Sequence, residues 1–257
     1  MPASPSSSSS SSSLAGQPRG SVLYREVKKQ LIADISSGRT PPGAALPNEK
    51  ELAERFQVSI GTLRRAVEEL VADHILVRQQ GRGTFVGKLD EARFMYQFFK
   101  IEPREGVREF PVLQLNAFAR ARATPQEAAA LALHGAASVL RIDNVLSLRG
   151  RPVIHDCITL AAAQFPALTR AQFERRAGTI YELYQAAFGI TVIGADERVR
   201  AEGVTPGSAA LLGLDAGTPV LHIERVAFTF DQKPAELRVS VVNTKDVDYV
   251  SRTRQQI

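Results

Sequence analysis

Apolar residues along this chain follow two spacings. Up to about Val86 they recur at helical intervals, and beyond residue 106 they gather into short runs separated by turn residues. Leu23, Val27, Leu31 and Ile35 recur every four positions among Arg25, Lys28, Lys29 and Asp34, which predicts an amphipathic helix ended by Gly38. Pro41-Pro42-Gly43 makes a rigid turn. Asn48, with Glu51 three residues later, predicts a capping box and a short helix through Phe56. Ser59 is placed to cap a third helix, in which Leu63, Val67 and Leu70 form the buried stripe. Ile75-Leu76-Val77 and Thr84-Phe85-Val86 then flank Arg78-Gln79-Gln80-Gly81-Arg82-Gly83, two short strands around a glycine-rich tip. Helix, helix, tight turn, helix and hairpin in this order are the layout of a winged helix-turn-helix.

The second half contains an internal repeat. Val139, Ile142 and Val145 map onto Val220, Ile223 and Val226 with a constant offset of 81, and Pro152 maps onto Pro234 with an offset of 82. Each unit reads as a short helix, a strand, a tight turn and a second strand. Between the copies, Thr179 to Phe188 suggests a helix and Val192 to Glu202 a strand. Two hairpins with flanking strands, and helices on one face, predict an antiparallel α+β domain. The expected organisation is a disordered Ser-rich leader over 1–21, a winged helix-turn-helix over 22–88, a linker over 89–105 and the α+β domain over 106–257. Ser6 to Ser13 is an unbroken serine run, which buries too little apolar area to offset its conformational entropy. It lacks the basic start and apolar block of a signal peptide.

Composition narrows the function classes. The chain has 257 residues, a formal net charge of +5 and a single cysteine, Cys157. One cysteine can form neither an internal disulfide nor a thiolate metal cluster, which suits a reducing, cytoplasmic setting. No apolar run approaches the roughly 18 residues that span a bilayer, so no membrane association is expected. The positive balance permits a polyanionic partner. Trp is absent, which argues against a surface built on many stacked bases or sugars.

Three blocks then carry a family signature. They are Gly43-x-x-Leu46-Pro47-x-Glu49-Lys50-Glu51-Leu52-Ala53, Val58-Ser59-x-x-Thr62-Leu63-Arg64 and Gly81-Arg82-Gly83-Thr84-Phe85-Val86. Their sequence and spacing resemble the DNA-binding domain of GntR-type bacterial transcription regulators. The repeat-bearing half is similar, more diffusely, to the effector-sensing UTRA domain of the HutC subfamily, with its chorismate-lyase-like fold. The resemblance implies a ligand-responsive regulator, a repressor that leaves a palindromic operator when a small metabolite binds. Its partners would be double-stranded DNA, a polar small molecule such as a carboxylate, and a second copy of the chain; no cofactor or metal is implied.

Candidate DNA contacts follow. Arg64 sits one turn into the third helix, where a planar guanidinium suits guanine, against the bland alternative of an i,i+4 pair with Glu68. Lys50, Ser59 and Thr62 stand at positions where the resemblance implies phosphate or groove-edge contacts. The family carries arginine straight after Val-Ser, whereas this chain has Ile60 and Gly61, and Arg65 is the candidate substitute. Arg82 at the wing tip has Gly81 and Gly83 beside it, which allow close approach to DNA.

For the effector, the resemblance implies acidic contacts near Asp156 and Glu236 and a hydroxyl at Thr179. Arg198 and Arg200 share one face of a strand and could meet an anion. Phosphosugar-sensing relatives carry two arginines where this chain has Asn144 and Leu146, which disfavours a phosphorylated sugar. An enzyme of the lyase-like fold is the alternative, and a constitutive DNA-binding structural protein a third. No nucleophile elbow, zinc-protease motif, phosphate-binding loop or dinucleotide fingerprint is present. His155 and Cys157 share a strand face, but such two-apart neighbours rarely meet in nucleophile–base geometry.

Overall fold

The computed structural model describes residues 19–88, 94, 95 and 97–252. Most of the Ser-rich leader (1–18), the first part of the expected linker (89–93) and residues 253–257 lie outside the described residues. The first helix, α1 (Arg19–Ser36), starts inside the stretch read as leader. A helix's first turn makes few of its own backbone bonds, so Gly20 and Ser21 are tolerated there despite poor propensity.

The N-terminal unit is built as its spacing predicts, with α1 followed by α2 (Glu49–Phe56), α3 (Ile60–Ala72) and a hairpin of β1 (Leu76–Gln79) and β2 (Gly83–Val86). Both expected caps form: Asn48 and Glu51 make the reciprocal capping box on α2, and the Ser59 side chain accepts from Thr62 N on α3. Val27, Leu31 and Ile35 pack with Leu52, Leu63, Val67, Leu70 and Val86. Leu23 leaves the expected stripe and is 47% exposed, while Tyr24 is buried in its place. A four-residue step overshoots a helical turn by about 40°, so a strict spacing of four drifts off the core within three steps.

The C-terminal unit is a six-stranded antiparallel sheet in the order β4-β5-β6-β9-β8-β7. Its strands are β4 (Val112–Arg122), β5 (Ser138–Leu148), β6 (Arg151–Ala161), β7 (Gly194–Gly203), β8 (Pro219–Phe228) and β9 (Pro234–Val242). The repeat is visible in the order itself. One half, β4-β5-β6, meets the other, β7-β8-β9, along the central β6–β9 pair. The Cα partners Asp156↔Ser240 and Ile158↔Arg238 straddle Cys157↔Val239, so a pseudo-twofold axis passes through that central pair.

Helices cover both faces of this sheet, a departure from the single covered face expected. On one face lie α5 (Arg170–Arg175) and α6 (Ile180–Phe188), with Phe94, Phe98 and Phe99 beside them. On the other lie α4 (Pro125–Ala130) and α7 (Pro206–Leu212), the helices that lead into the two repeated hairpins. Adjacent apolar positions such as Val139 and Leu140 are both buried, the mark of a strand covered on two sides.

The expected linker is also reassigned in part. Phe94, Phe98, Phe99 and Ile101 belong to the C-terminal core, and β3 (Ile101–Pro103) pairs with β10 (Val247–Tyr249). Burying three phenylalanines outweighs the charged residues that obscure their period. In the other direction, Phe230, on the β8–β9 connection, is buried against the N-terminal core. Among the described residues no helix is long and apolar enough to cross a membrane.

Candidate functional site

The exposed side of α3 carries the candidate DNA contacts. Leu63, Ala66, Val67 and Leu70 are buried, which leaves Gly61, Arg64, Arg65 and Glu68 outside. The Arg64 guanidinium donates from Nε to Glu49 Oε2 at 2.7 Å and stays 59% exposed. It is thus held by α2 rather than by Glu68, which lies 3.7 Å from Arg78 on the wing. Arg65 turns toward α1, its guanidinium 4.2 Å from the Tyr24 ring centroid. Ser59 and Thr62 share a 2.9 Å hydroxyl contact at the start of α3, and Lys50 is exposed on α2. At the wing tip Gly81 and Gly83 both take positive φ, 71° and 110°, and the Arg82 guanidinium lies 5.9 Å from the Phe85 ring centroid. A side chain at either glycine would strain that backbone.

The second candidate site is a buried polar cluster in the C-terminal unit. Strand alternation sends Asn144 of β5, Asp156 of β6, Arg225 of β8 and Glu236, Arg238 and Ser240 of β9 to the α6 side of the sheet. Arg238 is the hub. It donates from Nε and Nη2 to the two Glu236 oxygens at 2.8 and 3.0 Å, and from Nη1 to Asp156 Oδ2 at 2.8 Å. Ser240 donates to Asp156 Oδ1 at 2.5 Å. From α6, Tyr181 and Tyr184 donate to Glu236 at 3.0 and 2.8 Å. Burial alone would raise the Glu236 pKa, but Arg238, with the Tyr184 hydroxyl and the Arg225 charge, outweighs it and holds the carboxyl below its ordinary value. The same burial, with Glu236 alongside, pushes both phenols well up.

A second layer lies next to this cluster. Arg225 donates to Glu197 Oε1 at 2.7 Å, and Lys100 reaches Glu197 Oε2 at 2.6 Å. Two groups in the cluster's surroundings stay unsatisfied. Asn144 is fully buried and neither atom of its side-chain amide has a hydrogen-bond partner among the described residues, and the half-buried Arg176 leaves its Nε without one there. An unpaired buried amide costs about 1–3 kcal/mol, so a group that hydrogen-bonds it is favoured there.

The opposite face carries different chemistry. An open cavity of about 980 Å³ is lined there by Arg141, Asp143, Cys157, Arg198 and Glu224, among others. His155 Nε2 lies 2.9 Å from Asp143 Oδ2, and its Nδ1 lies 2.9 Å from Ser208 Oγ on α7. Burial, with Asp143 beside it, pushes the Cys157 thiol up to about 12, so it is not a free thiolate nucleophile. Ser208–His155–Asp143 has the connectivity of a hydrolytic relay. Ser208, however, is buried and does not line this cavity.

The residues expected to bind an effector are therefore divided. Asp156 and Glu236 share one buried face, though each is already held by Arg238. Thr179 is buried at the start of α6, where its hydroxyl accepts from Glu182 N at 3.1 Å and caps the helix. Arg198 and Arg200 stand across the sheet: Arg198 is 3.5 Å from Glu224 with an 85% exposed side chain, and Arg200 pairs with Glu202 at 3.0 Å. Residues two apart share a face, but only the packing of the helices decides which part of a face is buried. Arg238, Arg225, Ser240, Tyr184 and Arg176 were not among the expected site residues. The repeat held the signal for the first two: its offsets carry Asn144 onto Arg225 and Asp156 onto Arg238.

Comparison with known proteins agrees with this geometry. Residues 23–86 match the family described as bacterial regulatory proteins, gntR family, and residues 111–248 match the UTRA domain. The chain is 31% identical over 224 residues to the histidine utilization repressor of Pseudomonas aeruginosa, covering 86% of this chain and 88% of that one. It is 27% identical over 209 residues to the HTH-type transcriptional repressor NagR of Bacillus subtilis, covering 80% and 84%. The solved ligand-binding domain of a GntR-family regulator from Bordetella bronchiseptica superposes with a TM-score of 0.59 at 28% identity, covering 62% of this chain and 99% of that one.

Proposed function

We propose that this chain, which belongs to the GntR family of bacterial transcription regulators and carries their UTRA domain, is a cytoplasmic repressor. The repressor leaves a palindromic operator when a polar, non-phosphorylated metabolite occupies the Asn144–Arg238 cluster. Family membership makes it a transcription regulator rather than an enzyme. The N-terminal unit binds DNA and the C-terminal unit senses a small molecule. One observation carries the finer reading: Asn144 is a fully buried amide with no partner among the described residues, beside a charge cluster whose carboxylates are paired.

The chemistry of the cluster favours one class of ligand. Arg238 is engaged by Asp156 and Glu236, and Arg225 by Glu197, so neither guanidinium is free for the charge-assisted pair of bonds that a dianionic phosphate needs after losing its water. Asn144 can donate to and accept from a neutral or singly charged group, and Arg176 has an unused donor at Nε for a carboxylate. On DNA, Arg64 exchanges Glu49 for a base edge, while Lys50, Thr62 and Arg82 contact the backbone. A single winged helix buries too little surface for typical specific affinity, which supports a homodimer held by the C-terminal domain.

Linkage supplies the switch, because a ligand favouring a geometry that misplaces the recognition helices weakens operator binding by the same coupling free energy. Phe230 is the contact through which the β8–β9 hairpin touches the N-terminal core. Calorimetry with matched pairs tests the ligand class: small carboxylates against phosphate esters of similar size, and an amino sugar against its 6-phosphate. Carboxylate or neutral ligands should bind and lose affinity when Asn144 becomes leucine. Micromolar binding of the phosphate esters, indifferent to Asn144, would overturn the reading.

A further inference from the structure

Strand alternation sends the odd-numbered residues of β5 and β6 away from the effector cluster, and three of them converge. Asp143 Oδ2, His155 Nε2 and Cys157 Sγ point at one another, with separations of 2.9 Å (O to N), 3.5 Å (O to S) and 3.6 Å (N to S). One carboxylate oxygen, one imidazole nitrogen and one sulfur form the donor set of a borderline-soft ion. Tetrahedral zinc, with Zn–N and Zn–O near 2.0–2.1 Å and Zn–S near 2.3 Å, requires ligand-to-ligand edges of about 3.3–3.6 Å. Two of the three edges already match. The O-to-N edge is shorter because a hydrogen bond joins those atoms directly.

The surrounding shell fits the same purpose. The atoms facing outward are each engaged: Asn116 Nδ2 donates to Asp143 Oδ1 at 2.9 Å, and Ser208 Oγ holds His155 Nδ1. That leaves Oδ2, Nε2 and Sγ directed inward, as outer-shell partners orient ligands in metal sites. Asp143 and Cys157 both line the open cavity, so an ion has an entry path and a fourth position for water or a ligand oxygen. A relay role fits less well, since Nε2 faces the carboxylate and the thiol together instead of standing between them.

We infer that Asp143, His155 and Cys157 form a binding site for one zinc-class divalent cation per chain, on the sheet face opposite the effector cluster. Calcium and magnesium are disfavoured because the site supplies a single oxygen among its three donors.

Cobalt(II) titration of the tag-free, chelator-treated full chain tests this by absorption spectroscopy. One equivalent should produce intense visible bands of a tetrahedral site and a sulfur-to-metal charge-transfer band, and zinc should displace it. Cys157→Ser should abolish the charge-transfer band and weaken binding at least ~10-fold, and Ser208→Ala should keep the stoichiometry with weaker affinity. Thermal unfolding in chelator should match wild type for Cys157→Ser, which separates loss of the site from loss of the fold. A pale octahedral spectrum, no saturation at one equivalent, or an unchanged titration in Cys157→Ser would overturn the assignment.

Discussion

Replacing Arg238 with methionine is the most demanding test of the buried cluster. The side chain is 6% exposed and ties together two carboxylates that are themselves 0–1% exposed. Methionine keeps the length and apolar stem but removes the cation, leaving Asp156 and Glu236 as neighbouring uncompensated charges. Breaking a buried pair in this way costs about 3–5 kcal/mol. At about 2–4 °C per kcal/mol for a domain of this size, the C-terminal unit should melt about 6–20 °C lower. The direction of the pH dependence is more diagnostic. In the wild type, Glu236 has a lowered pKa, so its contribution is present above the unfolded value near 4.3 and lost as pH falls through the lowered one. In the variant the folded pKa should lie above the unfolded value. Stability is then greatest at low pH and lost as pH rises through the raised value. Thermal unfolding followed by near-ultraviolet circular dichroism, from pH 4.5 to 8, should therefore show no slope from Glu236 in the wild type and a stability that falls with rising pH in the variant. Adding Asp156→Asn and Glu236→Gln should restore at least half of the lost stability and flatten the slope. A loss below about 1 kcal/mol, or parallel profiles, would refute the view that Arg238 holds two ionised carboxylates.

Arg64→Ala should weaken operator binding by about 1–3 kcal/mol with little change in melting temperature, because Arg64 is exposed and, among the described residues, bonded to Glu49 alone; unchanged affinity in operator titrations would move base reading elsewhere. Ser59→Ala should lower stability by about 0.5–2 kcal/mol by removing the α3 cap, while Ser59→Gly should cost only a few tenths; chemical denaturation would expose equal effects, which this account does not allow. A fragment starting at Phe94 should be a folded dimer in sedimentation. One starting at Gly106 should expose core and aggregate, since it lacks Phe94, Phe98, Phe99 and β3; equal behaviour would contradict their place in the core.

The DNA-binding half was legible because its signals are local. Capping boxes, wing glycines and the third-helix stripe each span a few residues, so chemistry and spacing fix them together. Even there Tyr24 displaced Leu23, since helical drift accumulates with length. The C-terminal half was legible as a repeat and as an antiparallel sheet, but its site was not. Alternation pairs Arg198 with Arg200 as surely as it pairs Asp156 with Ile158. It cannot say which stretch of each face the helices bury, because that depends on chain segments far apart in sequence. Phe94, Phe98 and Phe99 were hidden among charged residues, and only the sheet they pack on reveals them as core. Glu236 stands two residues after Pro234, yet the offset of 82 that matches the prolines leads from Asp156 to Arg238.

The pseudo-twofold axis through Cys157 and Val239 has a bearing on ancestry. A sheet of two like halves brings its own equivalent positions face to face at the centre, and here those positions hold Asp156 and Arg238. Two identical halves would have to repeat one residue at both. Paired aspartates would share a proton at a raised pKa, and paired arginines would repel each other in a dry interior. Sequence identity between the halves is therefore least tolerable where they meet. Divergence at the axis is what lets a duplicated scaffold hold an acid and a base at two positions that duplication first made alike. Searches for such duplications should therefore find their weakest alignment where the two halves face each other at the centre of the sheet.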